Sequence, residues 1–499
     1  MFSAQTLRQK AQRDLEELPA GYWAQLRDSL VGLLVGEVRQ HPGRQDTATQ
    51  LCLAFSAVSA HIPIKEWGGA PSLVAWLQQA FAHEPPEVAL ACLLQMLAII
   101  AEECGSFKPA IRPARRRDYQ LELSGCTAEA IALLATCLPT AQTDAAKQQL
   151  FQAFSAWLAL SNGLGLDPAT LSSHPLVLAS VQALNSDDED VFEAAVDCVV
   201  ELIRYSVADP EGGVQQQHMG LVQLLVTSSM VLRQKFVQAA AAAKETEALD
   251  EDGMAKGMAR LFTEVGEAYV QVIATGDAGV LEPVQALLDV AAHPDDAICQ
   301  MSYNFWHSLS MVLIHGPDAG EDEDEGPGAR HKPLPPEEME RRRALFEPAF
   351  VQLVTHIMGR VKYPADRAES YPTWSKTEKK DFKRARYVPK RRGRGGARAR
   401  ALTLSVPPPS RYAVADTLLD AGKVIGGDRM LQLLAQPLQA LSSATASGQP
   451  FDWIVAEAAF YCMRSVSKSI PHRPNELLNQ VGLCRRGRGL ATPSRSAAG

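Results

Sequence analysis

Apolar residues recur along almost the whole chain at the three-and-four spacing of one helix face. Leu26, Leu30, Leu33, Leu34 and Val38 make one such stripe, and Leu281, Val284, Leu287, Leu288 and Ala291 another. Strict alternation, the mark of a half-buried strand, is almost absent. Breaks rich in Pro, Gly, Asp and Asn fall at intervals of about 15 to 25 residues. Helices of that length joined by short turns predict antiparallel pairs.

One arrangement repeats. Polar residues or prolines open a helix, an aliphatic residue follows, and a small residue sits four positions later. Glu84-Pro85-Pro86-Glu87-Val88 leads to Cys92, Asp187-Asp188-Glu189-Asp190-Val191 to Ala195, and His293-Pro294-Asp295-Asp296-Ala297-Ile298 to Ser302. Acidic residues at a helix start cap it and favour the positive end of its dipole. A small residue in mid-helix admits a close neighbour. Stripes such as Cys198, Val199 and Leu202, or Phe305, Trp306 and Leu309, are too wide for one hairpin to cover, so hairpins must stack. The expected fold is all-α: HEAT-like helical-hairpin repeats stacked into an α-solenoid, a superhelix, with disordered insertions.

Three segments depart from this pattern. Gly316 to Pro336 holds Glu321, Asp322, Glu323, Asp324 and Glu325 among glycines and prolines and reads as a solvated acidic loop. Ser375 to Arg400 is crowded with lysine and arginine, against only Glu378 and Asp381. Cys484 to Gly499 is basic and rich in small residues. The domain reading is therefore repeats over 1–315, an acidic loop over 316–336 and a helical repeat over 337–374. A basic Arg/Gly/Pro-rich insertion follows over 375–412, then repeats over 413–482 and a disordered tail over 483–499.

Charge sharpens this picture. The chain carries 49 basic and 57 acidic residues, net −8. With so much positive charge gathered in one insertion, the rest is more acidic still, which suits basic protein partners and disfavours nucleic acid. The nine cysteines are scattered through apolar helical patterns without a CxxC pair, so buried thiols are expected rather than disulfides or zinc. The longest apolar runs, such as Leu90–Ala101, are too short to span a membrane, and the N-terminus lacks a signal-peptide pattern. A soluble intracellular protein is expected.

Catalytic chemistry has no foothold in the sequence. It holds no GxxxxGK[ST] phosphate loop, no GxSxG elbow and no HExxH helix. Gly163 and Gly165 lack the third glycine and the strand of a dinucleotide site. His61, His293 and His356 have no partner at metal-ligand spacing. Tryptophans at helical spacing read as core. No enzyme, metal or cofactor is expected.

Several segments, in order, resemble one family. They are Phe2-Ser3-Ala4-Gln5-Thr6-Leu7 with Lys10, Leu15-Glu16-Glu17-Leu18-Pro19, and Leu26-Arg27-Asp28-Ser29-Leu30. Ala194-Ala195-Val196-Asp197-Cys198-Val199 follows, then His293-Pro294 with Tyr303-Asn304-Phe305-Trp306. The last are Ala456-Glu457-Ala458 and Ser467-Lys468-Ser469-Ile470. Together they resemble the importin-β superfamily, nearest its transportin-3 and importin-13 branch, with an exportin-1/importin-β-like region over about 22–170.

The resemblance implies a karyopherin: a receptor shuttling between cytoplasm and nucleus and touching phenylalanine–glycine nucleoporins. It would bind basic or arginine–serine-rich cargo and release it to the GTPase Ran. Glu321, Asp322, Glu323, Asp324 and Glu325 become candidates for contact with Ran or basic cargo. Family members have helices before the Phe2 segment and continue well past Asn479, so a fragment without the first repeats and the C-terminal half is expected. Val388 to Tyr412 interrupts the family pattern. It and the tail from Cys484 read as translated non-coding sequence, or alternatively as an Arg-Gly RNA-binding segment or nuclear localisation signal. A generic HEAT scaffold for complex assembly and an Arg/Gly-type RNA binder are the competing functions.

Overall fold

The structure, a computed structural model, describes residues 1–161, 168–207, 216–246, 253–277, 281–316, 334–362 and 414–470, with Val214, 374–377 and Lys379. Among them there is no strand. The acidic loop 321–325, the interruption 388–412 and the tail 483–499 lie outside the described residues.

The helices fall into two compact units, one chiefly Met1–Phe236 with Glu251–Glu264, the other chiefly Val265–Gly395 with Val406–Gly499. The first opens with α1 (Phe2–Arg13), α2 (Trp23–Gln40), α3 (Gln45–His61), α4 (Leu73–Phe81) and α5 (Pro86–Glu103). It continues through α6 (Pro113–Ser124), α7 (Thr127–Cys137), α8 (Asp144–Ser161), α9 (Pro168–Leu171), α10 (Pro175–Ala183), α11 (Glu189–Ser206) and α12 (Met219–Val231). Next come α13 (Arg233–Thr246), which belongs to the second unit from Val237 on, and α14 (Gly253–Ala268), which belongs to the first unit as far as Glu264.

Hairpins form from α2 with α3, α4 with α5, α7 with α8 and α10 with α11. The second helices also pack on one another in sequence, α3 on α5, α5 on α8 and α8 on α11, so they form a continuous row. Their composition explains this. In α5 every residue from Cys92 to Ala101 is buried, as expected of a helix that is apolar all round. Side-chain donors reach across the row to helix carbonyls. Trp157 Nε1 donates to Leu97 O at 3.1 Å, and Cys198 Sγ to Phe151 O at 3.0 Å.

The second unit holds α15 (Val270–Ile273), α16 (Leu281–Ala292), α17 (Asp296–Met301), α18 (Tyr303–His315) and α19 (Pro336–Arg360). It ends with α20 (Val414–Ile425), α21 (Gly427–Ala446) and α22 (Trp453–Ser465). Here α18 packs on α20 and α20 on α22, while α16 packs on α19. Trp306 is fully buried, its ring 5.1 Å from Phe305 and 5.3 Å from Phe350, both edge-on.

The predicted helix starts hold. Asp188 caps α11 by accepting from Val191 N at 3.0 Å, and Pro86 occupies the first turn of α5, where its missing N–H costs nothing. Three core expectations need correction. Leu33 is 54 % exposed, because α2 packs along Arg27, Leu30, Val31, Leu34 and Val35, one residue round from the predicted stripe. Leu281 is exposed because it is the first residue of α16, beyond the reach of the neighbours that cover Val284, Leu287, Leu288 and Ala291. Ser302 is not mid-helix: it separates α17 from α18, fully buried, with Oγ donating to Cys299 O.

The eight described cysteines are all buried and none is in a disulfide, and burial pushes the Cys92 and Cys104 thiols up to about 12. Trp67, Trp157 and Trp306 are core, whereas Trp453 is half-exposed at the start of α22. No helix among the described residues is long and apolar enough to cross a membrane.

Candidate protein-binding surface

A row of parallel second helices leaves each with one accessible line of side chains. On α11 twelve residues are buried, and what faces outward beyond the first turn is Glu193, Asp197, Glu201 and Arg204. Their spacing of four, four and three keeps them on one face. On α8 the corresponding positions, Gln148, Gln152, Ser155 and Ala159, are neutral. Acid returns at the end of α5, where Glu102 is exposed and Glu103 half-buried.

Within the first unit α14 extends this surface. Arg260 Nη1 lies 2.6 Å from Asp197 Oδ1. Arg204 lies 2.8 Å from Glu201 and 2.6 Å from Glu264. Two arginines thus serve three carboxylates, and Glu102 makes no ion pair among the described residues. The surroundings of Glu102 and Glu201 disfavour charge. Desolvation raises the Glu102 carboxyl above its usual range, and the nearby Glu103 and Asp197 charges add to it. Desolvation also raises Glu201, with Arg204 pulling the other way. An incoming ammonium or guanidinium would relieve that repulsion, so the line is built to accept cations.

The acids at 321–325 lie outside the described residues. The line on α5, α11 and α14 was missed in the sequence, although a signal for it exists: Glu193, Asp197 and Glu201 are charged residues at helical spacing in an otherwise apolar segment. Among the described residues no group of His, Cys, Asp and Glu is placed to hold a metal ion.

Comparison with known proteins shows what the chain is similar to. Residues 47–199 match the family described as exportin 1-like protein, and residues 250–323 the transportin-3/importin-13 second TPR domain. Transportin MOS14 of Arabidopsis thaliana is 34% identical over 485 residues, 96% of this chain and 44% of that protein. The mRNA transport regulator MTR10 of Saccharomyces cerevisiae is 23% identical over 495 residues, 96% of this chain and 42% of that protein. The chain thus spans less than half the length of the curated relatives it matches. A solved structure of importin 13 in its cytosolic state superposes with a TM-score of 0.57 at 15% identity, over 93% of this chain and 49% of that one. It shares the helical-repeat solenoid fold.

Proposed function

Because the chain belongs to the importin-β family, we propose that it works as a nuclear transport receptor, a karyopherin that binds cargo under the control of Ran. The work is binding rather than catalysis: two ligands compete through one flexible array, and their coupling free energy sets when cargo is held. The observation supporting this reading is the acidic line of α5, α11 and α14, which suits a basic ligand. Cargo would be basic or arginine–serine-rich. Phenylalanine–glycine nucleoporins would carry the receptor across the pore, so it would shuttle between cytoplasm and nucleus. Glu321, Asp322, Glu323, Asp324 and Glu325 are proposed as a second acidic contact for Ran or cargo.

Retention on Ran loaded with GTP or with GDP tests the reading. The GTP form should be retained and a bound arginine–serine peptide displaced by it. Equal retention of both nucleotide forms would leave a generic scaffold as the better description. Serines in place of the five acids should weaken binding at low salt, and unchanged affinity there removes the loop from the proposal.

A further inference from the structure

The loop between α5 and α6 carries a feature that neither the core nor the acidic line explains. Phe107 stands 74 % exposed at its tip. Yet the loop is pinned. Arg116 donates from Nη1 to Ser106 O at 2.7 Å and from Nη2 to Pro109 O at 2.9 Å. Its guanidinium lies 4.8 Å from the centre of the Phe107 ring. On the other side Ala110 N donates to Gln12 O of α1 at 2.7 Å. A large ring held out on a fixed loop is a displayed side chain, already in place for contact with a partner.

Exposed cations flank it along the sequence. The side chain of Arg112 is 84 % exposed, with its nearest acid, Glu16, at 3.9 Å. Arg117 is exposed and makes no ion pair among the described residues, and the exposed Leu121 lies one turn further along α6. Lys108 is 66 % exposed beside Glu103. Arg115 is different: Glu122 neutralises it through two hydrogen bonds of 2.8 and 2.9 Å. The available groups are therefore an aromatic ring, an aliphatic side chain and two loosely held guanidiniums, on a chain of net charge −8.

We propose that Phe107, Arg112 and Arg117 form a docking surface for an acidic peptide segment of a partner protein, one that carries apolar side chains among its carboxylates. Carboxylates pair with the two guanidiniums, and an apolar side chain covers the exposed ring. A peptide fits better than a nucleic acid. Glu16, Glu103 and Asp118 border the patch and would repel a uniformly charged backbone, whereas a peptide can place its charges only where the arginines are. This surface meets the acidic line only at Glu103 and does not depend on the transport reading.

The test is fluorescence anisotropy on the full chain with a short labelled peptide of glutamates interspersed with phenylalanine. Controls are the same peptide with lysine for glutamate, and a single-stranded uridine oligomer. Phe107→Ala and the double change Arg112→Glu/Arg117→Glu alter exposed side chains, and circular dichroism should be unchanged in both. The acidic peptide should bind with an affinity that falls as salt rises, and each variant should weaken it about tenfold. The proposal is overturned if the peptide fails to saturate by about 1 mM, if both variants bind it like the parent, or if the lysine peptide or the oligomer binds more tightly.

Discussion

At the residue scale, arginines do much of the joining. Arg115 donates to Ala60 O at 3.0 Å and Ile62 O at 2.9 Å, satisfying carbonyls at the C-terminal end of α3 while Glu122 holds its charge. Arg343 reaches Leu313 O near the end of α18, and Arg360 holds His293 O and Pro294 O in the turn before α17. Helix ends leave carbonyls without intrahelical partners, and a guanidinium from the next hairpin can serve two of them at once. Arg27 acts differently. Only 6 % exposed, it lies 4.5 Å from the Trp76 ring and 5.0 Å from Trp67, with Nε donating to Asp28. The Leu-Arg-Asp-Ser-Leu motif that carried part of the family resemblance therefore marks a packing site.

Glu102 gives a prediction at this scale. Its folded-state carboxyl is raised above the ordinary 4.5, so the folded protein holds that proton more tightly than the unfolded chain. The penalty for ionising it is absent below the ordinary value and fully present above the raised one. Glu102→Gln should therefore raise the melting temperature at pH 7 by about 2 °C, discounted for its exposure, and change nothing at pH 4. A gain of equal size at both pH values would show that ionisation is not its cause.

At the scale of elements, close approach decides which helix faces meet. Gly266 on α14 is buried in the second unit, and a methyl group there would lie 2.5 Å from Leu287 Cδ1 and 2.9 Å from Phe305 Cδ2. Both neighbours are fully buried and cannot step aside. Gly32 on α2 has nothing within 4 Å of the same position. Gly266→Ala should lower stability by about 1–3 kcal/mol, whereas Gly32→Ala should raise it by about 0.5–1 kcal/mol through helix propensity. Urea unfolding of the two variants checks the contrast, and equal effects would mean that the seam yields. The sequence showed both glycines inside helical patterns and gave no means of telling them apart. Propensity is local, while the cost at Gly266 comes from residues 21 and 39 positions away.

At the scale of the molecule, charge is distributed by position in the array. The first unit places Glu102, Glu193, Asp197, Glu201 and Glu264 on accessible faces of α5, α11 and α14, with Arg204 and Arg260 between them. The double change Glu102→Lys/Glu193→Lys leaves those ion pairs intact and reverses two charges. It should weaken a basic cargo peptide about tenfold at low salt, with the difference fading near 0.5 M as screening shortens to a few ångströms. Identical salt titrations for parent and variant would remove the acidic line from the proposed function.

Helix periodicity, capped starts such as Asp188, and stripes too wide for one hairpin were enough to determine an all-α stack of hairpins, because each rests on interactions within a few residues. Ordered short motifs were enough to point to the family. What only the tertiary structure decided is which helices of the first unit pack into a continuous row and which face of each helix is covered. Leu33 reads as core and is exposed, while Arg27, outside the predicted stripe, is buried. The accessible line of Glu193, Asp197 and Glu201 likewise joins Glu102 and Glu264 only once α5, α8, α11 and α14 are laid side by side. Local spacing fixes the angle of a side chain around its own helix, but what that angle faces depends on neighbours distant in the chain.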